Sequence, residues 1–511
     1  MRNKEQCGDG LIYPDFAMIF IQTFTSPKIV IPREPWLKEV TEGNIDDQLF
    51  MHHQNMVQRY ELPGFDVKIK ITVGEGKQQK EAVVEGNVRV WMTVFFDATV
   101  EISYRLLVLN SERFRDIAFA SSSVDLDTDQ LIALAGLVQH VEHWVYKEQE
   151  KRQEIDGCVR DISVSNLMFD EKSAWRVENV QDGNLTFQEI QRRYRNLVDK
   201  SSDDEFKYKD HHYTFIDVWE TVEHQGKVCF ATMAEDEIIE HIECHHRAEL
   251  VGLMSLYPCE WPYRMDTSYD AICGPNIAID TDDLVLANEN MCVVFGTYGR
   301  RGVGSPTDWE KHVKRRDRYL VSWPEYLVLV EMLLAKKHTI NYVLNKYIYN
   351  STKAIATSAY EMIEQNSILT IRLSNMLLQL EAFRYLRYVS HKHMLNLTEE
   401  RLQIAKDEMR LKDTFVQVGK SLNTVNNVAE LKESSATKYI LFFISVASLF
   451  GVLLEGDGSA PVFSMISNSL GVWTAVVLVS LSCVGIAYGL YLLLRWGVRW
   501  YQQKQRKKKG F

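Results

Sequence analysis

Asn396–Leu454 reads NLTEERLQIAKDEMRLKDTFVQVGKSLNTVNNVAELKESSATKYILFFISVASLFGVLL. Asn396 with Glu399 three residues on resembles a capping box and predicts a helix start. From there Leu411, Phe415, Val418, Leu422, Val425 and Ala429 recur with alternating spacings of four and three, the pattern of a seam against partner helices. No proline lies between Pro324 and Pro461, so nothing forces a break before the apolar run Tyr439–Leu454. At 1.5 Å per residue the helix would be roughly 85–90 Å long, far more than a bilayer needs. The stretch predicts a stalk helix that becomes a membrane span.

A second apolar run, Gly471–Leu494, is long enough for roughly 30 Å of hydrocarbon. Neither Lys nor Arg occurs from Tyr439 to Leu494, while Lys432, Lys438, Arg495, Arg499, Lys504, Arg506, Lys507, Lys508 and Lys509 flank the pair. The positive-inside rule places both termini in the cytoplasm and Glu455–Leu470 outside, as in a multi-pass inner (cell) membrane protein.

The chain has 511 residues, with 58 Lys and Arg against 69 Asp and Glu, a net charge of -11 that disfavours direct nucleic-acid binding. Its eight cysteines form no CxxC pair, as expected of reduced thiols rather than a disulfide or zinc framework. Met1–Gly10 carries charges and no apolar region, unlike a secretory signal.

Residues 11–33 predict one or two strands. Phe65, Val67, Ile69, Ile71 and Val73 alternate with polar residues, as do Val88–Val94 and Val100–Val108, which predicts an antiparallel meander with one wet face. Asp127 and Gln130 cap a helix whose buried stripe is Leu131, Leu134, Val138, Val141 and Val145. Asp199–Lys209 reads as a loop or domain seam, Ala234–Met254 as one helix, and Cys292–Thr297 as a final strand. The expected architecture is an α+β domain over 1–320, a helical stalk over 321–438 and a first span over 439–454. An outer loop over 455–470, a second span over 471–494 and a basic tail over 495–511 follow.

This order of elements resembles the CorA family of magnesium transporters, most closely over residues 320–511. The resemblance implies a homopentamer in a lipid membrane, with the first spans lining a central pore. The family's Gly-Met-Asn signature corresponds here to Gly451, Val452 and Leu453. Without the Asn ring, magnesium selectivity is not implied; a ring of Leu453 would be an apolar constriction, extended by Ile440 and Ile444. Glu455 and Asp457 would form an acidic outer mouth. An enlarged N-terminal region and a degenerate signature resemble the branch associated with type III CRISPR systems. That branch implies an antiviral effector gated by a nucleotide messenger, an S-adenosylmethionine–AMP conjugate. A magnesium transporter, with Mg2+ as ligand, and a non-conducting membrane-anchored scaffold are the alternatives.

A messenger of that kind needs phosphate contacts and a stacking surface. Gly299–Pro306 combines glycines, Arg300 and Arg301 with Ser305 as N-cap of a following helix, an anion cradle in outline. Arg152 and Arg160 near Trp144 form a second candidate. His241 and His245, at i,i+4 with Cys244 between them, have a spacing that can chelate a metal. The carboxylate of a His-Glu-x-x-His motif is misplaced, so these read as ordinary surface residues and no metal site is assigned. Nothing resembles a nucleophile elbow or a kinase signature, and the chain is not expected to be an enzyme.

Overall fold

The computed structural model describes residues 10–26, 28–33, 37–40, 57–73, 80–95, 99–111, 120–136, 163–165, 187–201, 206, 208–223, 235–256, 269–279, 283–295, 321, 324–354, 368, 386–414 and 416–417. The sheet belongs to the first of two compact units, Met1–Lys353 with Gln365–Phe415.

Among the described residues eleven strands form one mixed sheet: β1 (Leu11–Thr25), β2 (Lys38–Glu39), β3 (Val57–Val73), β4 (Lys80–Phe95), β5 (Thr99–Leu109), β6 (Ala120–Ser122), β7 (Leu126–Asp127), β8 (Ser163–Ser165), β9 (His211–Glu223), β10 (Leu284–Ala287) and β11 (Met291–Phe295). Their order is β10-β11-β9-β1-β5-β6-β4-β3-β2, with β7 on β1, β8 on β3, and β4 also paired directly with β5. The expected meander is present as β3, β4 and β5, antiparallel in sequence order. Beyond it β1 pairs antiparallel with both β5 and β9, and β11 runs parallel to β9.

Because strand side chains alternate, β1 serves two cores. Phe16, Met18, Phe20 and Phe24 join one with helices α1 (Thr128–Ala135), α2 (Phe187–Val198), α3 (Glu235–His245) and α4 (Arg247–Ser255). Ala17, Ile19 and Ile21 join the other, with α6 (Pro324–Ala354) and α7 (Val389–Arg401); the short α5 (Tyr269–Ile272) lies between α4 and β10 in sequence. Asp127 and Gln130 form the expected capping box at the start of α1.

The wet face expected of the meander survives only in part. Asp66, Lys68 and Lys70 on β3 are exposed, whereas every residue of β5 is buried. The polar residues Glu101, Ser103 and Arg105 face α6 rather than water. Glu331 of α6 takes Arg59 at 2.5 Å and Arg105 at 3.2 Å, all with side chains at most 1% exposed. Arg105 also lies over the Trp91 ring, 4.3 Å from its centroid. Burial, and then the charge of Glu331, push the Glu101 carboxyl well above the usual range.

The expectation of an α+β domain followed by a free stalk and two membrane helices is corrected. α6 lies on the sheet, with Tyr326, Leu327, Val330 and Leu334 in the second core, and its Glu331 and Lys336 are buried in ion pairs. The helix expected to start at Asn396 starts at Val389 and stops at Arg401, where Leu402 and Gln403 turn the chain. Gln403 has φ 56°, and Lys337 Nζ donates to the Leu402 carbonyl at 2.8 Å, which satisfies a terminal acceptor of α7. Residues 404–414 are helical again, and Leu411, the first residue of the expected seam, packs in the second core instead of against partner helices.

The multi-pass membrane localisation, and the transmembrane and ion-channel reading with it, is corrected on the same ground. Among the described residues no helix is long and apolar enough to cross a membrane. The longest, α6, carries Glu325, Glu331, Lys336, Lys337 and Lys346. The runs Tyr439–Leu454 and Gly471–Leu494 lie outside the described residues.

Candidate metal centre

Ala234–Met254 reads as one helix, yet the chain forms two, α3 and α4, with His246 between them at φ -113° and ψ 21°. The turn keeps backbone bonds on both sides: the His246 N–H donates to Ile242 O at 2.9 Å, and the Leu250 N–H to His246 O at 3.0 Å. Its effect is on direction. His246 is buried beneath the pair, while His245, the expected i+4 partner of His241, is exposed.

What His246 meets is the end of β9. Glu223, its last residue, pairs across the sheet with Leu11, the first residue of β1. His241 Nε2 lies 2.6 Å from Glu223 Oε1, and His246 Nε2 lies 3.0 Å from the same oxygen. Glu223, His241 and His246 each bring one donor atom, and these atoms lie within 4.8 Å of one another. The side chains are 10%, 20% and 4% exposed, so the donors sit just beneath the surface.

Behind the three stands Glu249, from the first turn of α4. Its Oε2 faces His246 Nδ1 in a short contact, and its Oε1 accepts from the Leu11 N–H at 2.9 Å and the Thr128 hydroxyl at 2.6 Å. A carboxylate on the far nitrogen of a ligating imidazole is the usual outer partner of a metal-bound histidine.

The electrostatics agree with the geometry. Burial pushes the His246 imidazole down, but the hydrogen bond and charge of Glu249, then those of Glu223, outweigh it and hold the group above its ordinary value. Burial works against the Glu223 carboxylate, and the hydrogen bonds and charges of the two histidines overcome that and keep it below the usual range. With a proton on each ring nitrogen, His246 bridges two carboxylates; a cation held at Nε2 would take the place of one proton. A tetrahedral ion with bonds of about 2.1 Å holds its donors about 3.4 Å apart. The pairs at 2.6 and 3.0 Å would therefore have to open by less than about 1 Å to admit it.

Of His241 and His245, both read from the sequence as ordinary surface residues, His241 is at this centre. The His245 ring lies 4.5 Å from that of His241, and Cys244 is exposed. Glu223 and His246 were not legible as ligands, nor Glu249 as the carboxylate behind them: Glu223 ends a strand not recognised in the sequence, and no proline or glycine announces the break at His246. Trp144, Arg152, Arg160, Arg300, Arg301 and Ser305, proposed for a nucleotide, lie outside the described residues. So do Ile440, Ile444, Gly451, Val452, Leu453, Glu455 and Asp457.

No family model matches this chain, and neither the curated proteins nor the solved structures include a match to it.

Proposed function

We propose that this chain is a metal-binding protein that takes one zinc-class divalent ion between Glu223, His241 and His246. The observation that carries this reading is the convergence of two imidazole nitrogens on one carboxylate oxygen, with Glu249 set behind His246. Two nitrogens and one oxygen suit Zn2+, Co2+ or Ni2+; Mg2+ prefers an octahedron of oxygens. The ion would join the end of β9 to the break between α3 and α4, elements that approach only in the folded chain, so its binding energy adds to folding.

The test is titration of the metal-free full chain with Co2+, followed by its visible absorption. One equivalent with the intense bands of a four-coordinate ion is expected, displaced by Zn2+ and not by Mg2+. His246→Ala should weaken binding by about 100-fold or more. Absence of those bands in the wild-type chain, or His246→Ala binding as the wild type does, overturns the reading.

A further inference from the structure

Glu249 does more than face a histidine. One oxygen meets His246 Nδ1, and the other receives the first backbone amide of β1, Leu11, and the hydroxyl of the first residue of α1, Thr128. Residues 238 and 121 positions apart in sequence thus meet on one carboxylate whose side chain is 4% exposed. The meeting point is itself a junction. Ile12 and Tyr13 of β1 pair with Asp127 and Leu126 of β7, and Asp127 caps α1. The Thr128 hydroxyl also reaches the Leu11 carbonyl, at 3.4 Å. A Cβ added to Gly10 would stand 3.3 Å from Glu249 Oε1, so the chain entering β1 is packed closely against this carboxylate.

We infer that Glu249 couples metal occupancy to the order of the β1–β7–α1 junction. It is a positioning residue: by accepting a hydrogen bond from Nδ1–H it keeps the proton there and leaves the Nε2 lone pair of His246 for the ion. An ion drawing electrons from Nε2 makes the Nδ1–H a stronger donor and holds the carboxylate in place. The same carboxylate, held there, keeps Leu11 and Thr128 in register. Linkage makes the effect reciprocal, so disturbing the junction lowers metal affinity by the factor that the metal tightens the junction. This inference rests on the metal reading above.

The experiment measures Co2+ absorption and amide hydrogen exchange of the full chain, with and without Co2+, in peptides that cover Leu11–Thr25 and Thr128–Ala135. In the wild type, Co2+ should slow exchange at the start of both peptides by about tenfold or more, the factor that one well-placed outer contact is worth. Glu249→Gln turns an amide toward Nδ1 and favours the wrong tautomer; affinity should fall about 10- to 100-fold and the protection at Leu11 should vanish. Thr128→Val leaves the His246 contact in place, so Co2+ should still bind while its protection of the α1 peptide is lost. If the wild type shows no Co2+ bands, the metal reading falls and takes this inference with it. Bands without any change in exchange overturn the coupling alone, as does Glu249→Gln with wild-type affinity. Should Glu249→Gln fail to fold, the wild type and Thr128→Val decide the matter.

Discussion

Glu331 of α6 lies 2.5 Å from Arg59 of β3, with both side chains 1% exposed, and a second guanidinium, Arg105, completes the contact from β5. This ion cluster is the polar heart of the interface between sheet and helix. Thr93 accepts from Arg59 at 3.0 Å and Ser103 from Arg105 at 3.0 Å, so the guanidiniums are held by hydroxyls as well as by charge.

Glu331→Ala removes the carboxylate from two buried guanidiniums and should cost about 3–5 kcal/mol, the usual penalty for breaking a buried pair. Urea denaturation at pH 7 measures it. A loss below about 1 kcal/mol would mean that Glu101, the neighbouring buried carboxyl, ionises and replaces the missing charge.

His338 of α6 and His211 of β9 should make the fold acid-sensitive. Burial, then the neighbouring Lys337 charge, push His211 down to about 3; burial, then His211 itself, push His338 well below its ordinary value. His211 Nδ1 and His338 Nε2 have no hydrogen-bond partner among the described residues, so protonation would bury an unmatched charge. A folded pKa below the unfolded one gives stability that is present above about pH 6.5 and is lost as pH falls toward 3, at up to about 1.4 kcal/mol per pH unit per histidine. Asp15 acts in the opposite sense. Burial raises it to about 6, and its contribution is lost as pH rises from its unfolded value through 6. The difference between wild type and His338→Phe isolates the histidine: urea midpoints from pH 7.5 to 5 should fall less steeply in the variant. Equal slopes would show that His338 carries no such penalty.

Gly64 sits in the bulge between Leu62 and Phe65 where β3 shifts register against β4. A Cβ there would stand 2.4 Å from the Val88 carbonyl oxygen, a backbone atom that cannot step aside. Gly64→Ala should therefore lower stability by about 2–4 kcal/mol, read from the urea midpoint, because strain at such a position is seldom relieved locally. A change within about 0.5 kcal/mol would show that the bulge relaxes.

Much of the first core was legible because its signals are local. Phe65–Val73 alternates in a hairpin whose partner follows directly, and the Asp127–Gln130 capping box needs only four residues to form. The second core was hidden for a physical reason. Alternation records two kinds of face but not what covers the polar one; Glu101, Ser103 and Arg105 look like a solvated face until Glu331, more than two hundred residues on, is brought against them.

The break that ends α7 was hidden in the same way. Leu402 and Gln403 carry no breaker, and the turn depends on Lys337 of another helix capping Leu402 and on Leu402 itself being buried. So does the candidate centre. The sequence alone determined strands and one helix cap, and it offered His241 only beside His245, with both read as ordinary surface residues. Only tertiary structure decided its surroundings, because Glu223, His246 and Glu249 meet through the end of one strand, a helix break and the first turn of the helix after it. Contacts of that kind leave no period in the chain.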